Sequence, residues 1–339
     1  MSKINNESNK GNYNNKKSIL DNEELAILKP LPQENSNANP LVKFLSSDKF
    51  FNFVVTTLVT IVIFLIAYPI YVVFIASISD PYAVSNGQVL LLPKGSNIDG
   101  FKRVFADPRI LSSIINSIVI TTLGTSLSLI CTMPVAYVLS VEDFRLSKVL
   151  FTLVMITIYF SGGMIPDFLL VRGLGLYNTW WALILPGLVS SWNVIITRTF
   201  LKKNISGELL DAAKIDGANH WDFFIKVALP LSSTIMVIIG LFYGVGYWNS
   251  YANAMIYIKD QDKYPFQLIL RDILIREQIA AQSLRLEGDI DGNTMARMSE
   301  IALSVKYVVA VIAVLPIIII FPLVEKYFVK GIMVGSIKG

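Results

Sequence analysis

Residues 243–251 read Tyr-Gly-Val-Gly-Tyr-Trp-Asn-Ser-Tyr, a run that gathers aromatic faces, an amide and hydroxyls. Those groups can stack on a sugar ring and bond its hydroxyls. Tyr243, Tyr247, Trp248, Asn249 and Tyr251 are therefore candidates to line a carbohydrate path. The same residue types at the end of an apolar span also form an interfacial belt, and glycines inside a span are contacts for neighbouring helices. Both readings stand, and Trp180, Trp181 and Trp192 share the ambiguity. In a second polar group, Glu287 to Asn293, the residues Asp289, Asp291 and Asn293 alternate like the start of a calcium loop. Its glycine and terminal glutamate are misplaced for that role, so a solvated turn is the better reading. His220 is the sole histidine and Cys131 the sole cysteine, which excludes a multi-histidine metal site and an internal disulfide. No metal site is expected. The chain also lacks a Gly-x-x-x-x-Gly-Lys-Ser/Thr loop, so it has nothing to cradle ATP phosphates, and no cofactor bound by the chain itself is expected.

The elements that position these groups are apolar. The chain is 53% hydrophobic with a mean hydropathy of +0.56, more than a soluble domain carries. Stretches long enough to cross a roughly 30 Å hydrocarbon core fall near 53–76, 112–140, 149–171, 180–200, 229–250 and 303–325, which predicts an all-α integral membrane protein with six transmembrane helices. Residues 1–40 are Asn-rich with little apolar periodicity and read as a disordered tail. Because the first span follows that long polar stretch, it is not the core of a signal peptide. Residues 41–328 form the membrane domain, with a polar loop at 206–230, a longer one at 251–302, and a tail at 329–339. A net charge of +4 gives no reason to expect nucleic acid as a partner; the composition implies membrane lipid instead. A weak excess of Lys and Arg places the N-terminus inside. Arg172, Arg198 and Lys306 lie at span ends, where long side chains snorkel to water.

The loop at 206–230 is the most informative stretch. Ser206 or Gly207 can start a helix bearing the small residues Ala212 and Ala213; Gly217 then supplies a sharp stop, and Asn219 caps a second helix. From Asp211 to Pro230 the run resembles the EAA loop of ABC-importer permeases: Glu-Ala-Ala, three residues, Gly, nine residues, Ile-x-Leu-Pro. Asp211 stands where Glu is usual and Val227 where Ile is usual. Further stretches are similar to carbohydrate permeases of the maltose (MalG-like) type. They are Ala67-Tyr-Pro69, Ser79-Asp-Pro81, Asn116-Ser117, Gly124-Thr125, Gly162-Gly-Met-Ile-Pro166, Asn178 to Pro186, Trp248-Asn249 and Val334 to Gly339. The resemblance covers about residue 44 to the end and is nearest the branch associated with polysaccharide breakdown products. Ser140-Val-Glu-Asp143 lacks the basic residue usual after the second span.

This resemblance implies a type I ABC-importer permease fold with cytoplasmic EAA coupling helices, in a bacterial cytoplasmic membrane, with both termini cytoplasmic. It implies as partners a second permease subunit, two ATP-binding subunits that carry ATP and Mg, and an extracellular solute-binding protein. The residues it assigns to ATPase coupling are Asp211, Ala212, Ala213, Asp216, Gly217, Ala218, Leu229 and Pro230. It assigns ATPase contact to the tail residues Gly335, Ser336, Lys338 and Gly339, where three glycines past the last span permit an extended, insertable strand. Glu287, Asp289, Asp291 and Asn293 become candidates to contact the binding protein. The implied activity is import of oligosaccharides, acidic ones among them, by alternating access, with the chain itself not an enzyme. Two other classes fit less well. A secondary sugar transporter needs a carboxylate central to a span, and Asp167 lies near an end. A polytopic membrane enzyme needs a nucleophile with its base, and the loop acids have no such context.

Overall fold

The computed structural model describes residues 48–286 and 292–336, and among these the secondary structure is helical apart from one isolated antiparallel bridge, Ser79 to Ser96. In chain order the α-helices are α1 (Asp48–Ser77), α2 (Pro81–Ser85), α3 (Asp99–Phe105), α4 (Arg109–Ser140), α5 (Ser147–Tyr159), α6 (Met164–Gly173), α7 (Trp181–Ile184), α8 (Ser191–Asn204), α9 (Gly207–Ile215), α10 (His220–Phe223), α11 (Leu229–Leu231), α12 (Ser233–Trp248), α13 (Tyr251–Tyr257), α14 (Phe266–Leu286) and α15 (Gly292–Ser336). Three are long and apolar enough to cross a membrane: α1, α4 and the Met298–Tyr327 part of α15. Three bent pairs satisfy the same test together: Ser147–Tyr159 with Met164–Gly173, Trp181–Gly187 with Ser191–Asn204, and His220–Leu231 with Ser233–Trp248, bent by 115°, 48° and 78°.

The chain divides into two compact units, Met1–Ala67 and Tyr68–Gly339. In the first, α1 exposes Phe51, Phe53, Leu58, Ile61, Phe64 and Leu65; a helix apolar on every side belongs in lipid. In the second, α4 is the central element, with α12 and α8 packed along it. Their contact buries Ile120, Met133, Ala136, Leu201, Ile235 and Ile239. The helices meet closely at Gly124, where a Cβ would fall 2.8 Å from the Tyr247 ring, so only glycine fits without displacement. A second cluster, including Val104, Ile110, Phe266, Ile269, Val305 and Val308, joins α3, α14 and α15 to the start of α4. Asn116 and Ser117 fix the approach to α14. The Asn116 amide donates to the carbonyls of Asp262 and Tyr264 at 2.7 and 3.0 Å, and Ser117 Oγ accepts the Phe266 N–H at 2.7 Å. Such bonds are needed where water is absent to satisfy the chain.

Several sequence expectations are corrected. The span expected at 149–171 is two helices meeting at 115°. Gly163 adopts φ +84°, and Pro166 falls in the first turn of α6, where a missing N–H is tolerated. The span expected from 229 begins instead at Ser233, after a π-helical turn over Phe224–Ala228 and Pro230. Within the segment at 251–302 the apolar-rich stretch 267–279, readable from the sequence as a helix, lies inside α14, while α15 starts at Gly292, well before the expected 303. The tail stretch expected to be extended is helical through Ser336, so Gly335 and Ser336 continue α15; Lys338 and Gly339 lie outside the described residues. Arg198, half-buried at its span end, also makes contacts the sequence did not show. Its Nε donates to the Leu139 carbonyl at 2.8 Å, and its guanidinium sits 3.9 Å above the Phe151 ring, closing the C-terminal turn of α4.

Candidate functional site

The loop between α8 and α12 is built from short-range rules. Ser206 is extended at the N-cap of α9, Glu208 occupies the first turn and Lys214 the last, as the helix dipole favours. At the other end the Gly217 N–H bonds the Lys214 carbonyl at 3.0 Å and the Ala218 N–H bonds the Ala213 carbonyl at 2.9 Å. With Gly217 at φ +82°, this is a Schellman stop. Asn219 then caps α10, its side-chain oxygen accepting the Asp222 N–H at 2.8 Å. The stop and the cap read from the sequence are both present.

The base of this helix-turn-helix is fixed by aromatic packing. Leu210, Phe223 and Phe224 are buried, and the Tyr137 ring of α4 lies 5.1 Å from Phe224 and 6.3 Å from Phe223 between centroids. Tyr137 Oη also faces His220 Nδ1 at 3.5 Å. Polar contacts add to this: Lys202 pairs with Glu142 at 2.9 Å, and Lys214 lies 3.6 Å from both Asp143 and Asp211. The Lys202 hydrogen bond holds the Glu142 carboxyl below its ordinary pKa. These groups surround a cleft of about 360 Å³ lined by Tyr137, Glu142, Lys202, Leu210 and Phe223 among others. The acids that depart from the usual pattern at 142 and 143 thus meet basic partners on α8 and α9. Tyr137 and Lys202 carried no sequence signal, because each is defined by a neighbour distant in the chain.

The opposite face is exposed. Leu209, Ile215, Trp221 and Ile225 are exposed, Ile215 to 87%. Asp211, Ala212, Asp216, Gly217 and Pro230 are exposed beside them, while Ala213, Ala218 and Leu229 are half-buried. Small residues, one sharp turn and four large apolar side chains on a rigid base make a projecting knob suited to a complementary cleft.

The aromatic run at 243–251 is placed differently. Tyr243, Tyr247 and Trp248 are buried. Tyr243 Oη bonds Thr132 Oγ1 at 2.7 Å and accepts the Ser190 N–H at 2.9 Å. Tyr247 Oη donates to the Ile184 carbonyl at 3.2 Å and lies 2.9 Å from Ser128 Oγ. Trp248 Nε1 donates to the Ala313 carbonyl at 3.2 Å. In this conformation the three residues stitch α12 to α4, to α15 and to the stretch around Ile184 and Ser190. Asn249 and Tyr251 remain on the surface. Glu287, Asp289 and Asp291 lie outside the described residues, and Asn293 falls in the first turn of α15.

Comparison with known proteins decides the family. No family model matches the chain. It is 36% identical to Protein LplC of Bacillus subtilis over 271 residues, 80% of this chain and 89% of that one. It is also 37% identical to the polygalacturonan/rhamnogalacturonan transport system permease protein YtcP of the same organism, over 79% of this chain and 91% of that one. The chain belongs to the carbohydrate ABC-transporter permeases. Its fold agrees: it superposes with a TM-score of 0.68 and 30% identity, over 84% of its length and 98% of the other chain, on a bacterial ABC transporter involved in import of the acidic polysaccharide alginate. This permease is therefore a multi-pass membrane subunit of a carbohydrate importer.

Proposed function

We propose that this permease spans a bacterial cytoplasmic membrane six times, each bent helix pair counting as one span, with both termini cytoplasmic. It works with a second permease, two ATP-binding subunits and an extracellular solute-binding protein. ATP and Mg are held by the ATP-binding subunits, and this chain contributes no catalytic group. The substrate is an oligosaccharide derived from an acidic polysaccharide, a reading supported by the substrates in the names of YtcP and the alginate importer.

The observation that carries the proposal is the α9–α10 knob, with a base locked on Tyr137 and an apolar tip left bare. A rigid base lets a displacement at the tip reach α4 and α12 rather than being absorbed locally, and closure of the ATP-binding pair would rock the helices between two discrete packings. Asn249 and Tyr251 are the members of the aromatic run still open to a sugar. The test is purification of the tagged permease from membranes. An ATP-binding subunit should accompany it, and ATP hydrolysis in reconstituted vesicles should rise on adding binding protein loaded with an oligogalacturonate. Absence of the ATP-binding subunit would refute the coupling role. Stimulation only by a neutral oligosaccharide would refute the substrate class and leave coupling intact.

A further inference from the structure

The segment between α2 and α3 returns along α1 rather than projecting from it. Val89 is buried with Ile75 and Ala83, Ser79 bridges Ser96, and the Asp80 N–H bonds the carbonyls of Lys94 and Gly95 at 2.9 and 3.0 Å. Gly87 and Gly95, at φ +67° and +63°, supply the turns at either end. The Tyr71 hydroxyl donates to the Leu91 carbonyl at 2.5 Å. Tyr71 precedes the last residue of α1, Ser77, by six positions, which at ~1.5 Å per residue sets it about 9 Å inside the helix end. Helical side chains also lean toward the N-terminus, so Leu91 is held alongside the last turns of α1, past Tyr68, and not above them.

At that level Leu90, Leu91 and Leu92 are 59%, 70% and 72% exposed. Tyr68, Ile70 and Tyr71 of the neighbouring helix surface are exposed as well, at 43–52%. Three adjacent leucines left bare next to a membrane-crossing helix continue its apolar surface, and Pro93 and Lys94 close the run with a residue that lacks an N–H and a cation suited to headgroup phosphates. The segment is not regular helix, so its backbone lacks the continuous ladder that the hydrocarbon centre demands, which suits it to the headgroup–acyl boundary.

We propose that Leu90–Leu92 is a lipid-inserted wedge: an interfacial loop whose side chains enter the acyl layer of the leaflet at the C-terminal end of α1. It would anchor the α2–α3 segment to the bilayer while the remaining helices move.

The test uses the assembled transporter in phosphatidylglycerol-containing vesicles. In a Cys131→Ser background shown to retain uptake, nitroxide labels are placed separately at Leu91→Cys, Leu92→Cys and the polar turn Asn86→Cys. Collision rates are measured with oxygen, which partitions into lipid, and with a water-soluble nickel chelate. The oxygen-to-nickel ratio should exceed one at 91 and 92 and fall below one at 86. A ratio below one at all three positions would overturn the wedge by placing the leucines in water. Low access to both reagents at 91 and 92 would overturn it by showing a protein partner, the second permease or the binding protein, covering them. Two labelled leucines guard against one substitution disturbing assembly.

Discussion

Replacing Gly217 tests the coupling loop where its geometry is least ambiguous. A Cβ built on Gly217 meets no heavy atom of this chain within 4 Å, so within the permease the first constraint a substitution meets is the φ of +82°; Asn, bulkier than Ala yet easier at that φ, separates this from steric block of the docking face. Holding a non-glycine residue in the left-handed region costs about 1–2 kcal/mol. Asparagine is more tolerant of that region, and a β-branched residue is least tolerant. One or two kcal/mol changes the ratio of two conformations by roughly 5–30-fold. The conformation at stake is the stop that holds the Gly217 to Lys214 and Ala218 to Ala213 bonds and turns the chain from α9 into α10.

The series Gly217→Asn, Gly217→Ala and Gly217→Val should therefore lose sugar uptake per ATP hydrolysed in that order, with Val losing the most. The assay is uptake of labelled oligosaccharide by proteoliposomes, with phosphate release measured on the same sample and ATP-binding subunit content checked by gel. Equal loss across the series would point away from backbone conformation. Full uptake by Gly217→Val would refute the claim that this turn transmits force.

Gly124→Ala should destabilise by about 1–3 kcal/mol through overpacking, because its Cβ would meet the Tyr247 ring at 2.8 Å; thermal unfolding of the purified complex reads this, and Gly124→Ala should cost less in a Tyr247→Leu background, itself destabilised by loss of the Ser128 and Ile184 contacts. Tyr243→Phe should lower the unfolding midpoint, since it strands the buried Thr132 hydroxyl and the half-buried Ser190 N–H at a cost of about 1–3 kcal/mol, while leaving the KM for sugar unchanged; a raised KM would support a place for this residue in the sugar path. Asp107 is held below its ordinary pKa, chiefly by its hydrogen bond to Arg109, so its contribution is full above the unfolded value and is lost as pH falls through the lower folded value. The gap in unfolding midpoint between wild type and Asp107→Asn should then be flat from neutral pH down to about pH 5 and shrink below about pH 4; a gap that widens on acidification would reverse the assignment. Replacing 286–294 by a Gly-Ser link should leave basal ATP hydrolysis alone and reduce its stimulation by loaded binding protein, if Glu287 to Asn293 contact that protein; unchanged stimulation would refute that contact.

What could be read from the sequence follows the range of the interactions involved. The stop at Gly217 and the cap at Asn219 are settled by atoms no more than five residues apart, Ala218 to Ala213 being the longest reach, so local letters suffice. The long apolar helices were legible for the same reason, since α4 matches its expected limits within three residues at the start and none at the end. The helix breaks were less visible. Gly162, Gly163 and Pro166 mark one of them, yet glycine and proline are common in straight membrane helices, so hydropathy alone joined α5 to α6. The packing of the aromatic run was not legible because its contacts lie at long range: Tyr243 bonds Thr132 and Ser190, and Tyr247 bonds Ser128 and Ile184.

The same distinction explains why the loop can serve as a lever. Its internal shape is set locally and is therefore kept when the loop moves, whereas its attachment is set by distant residues, Tyr137 against Phe223 and Phe224 and Asp143 beside Lys214, with the Lys202 to Glu142 pair next to them. An element whose shape is local and whose footing is not can shift as a unit. The exposed Lys202 to Glu142 and Lys214 to Asp143 pairs are weakly held, so they can re-form as the loop shifts. The Tyr137 to Phe224 contact is apolar and buried, so it should persist. On this reasoning Glu142→Gln should leave coupling nearly intact, while Tyr137→Ala should uncouple uptake from ATP hydrolysis even where the ATP-binding subunit still copurifies. The reverse ranking would mean that the ion pairs, and not the aromatic footing, carry the load.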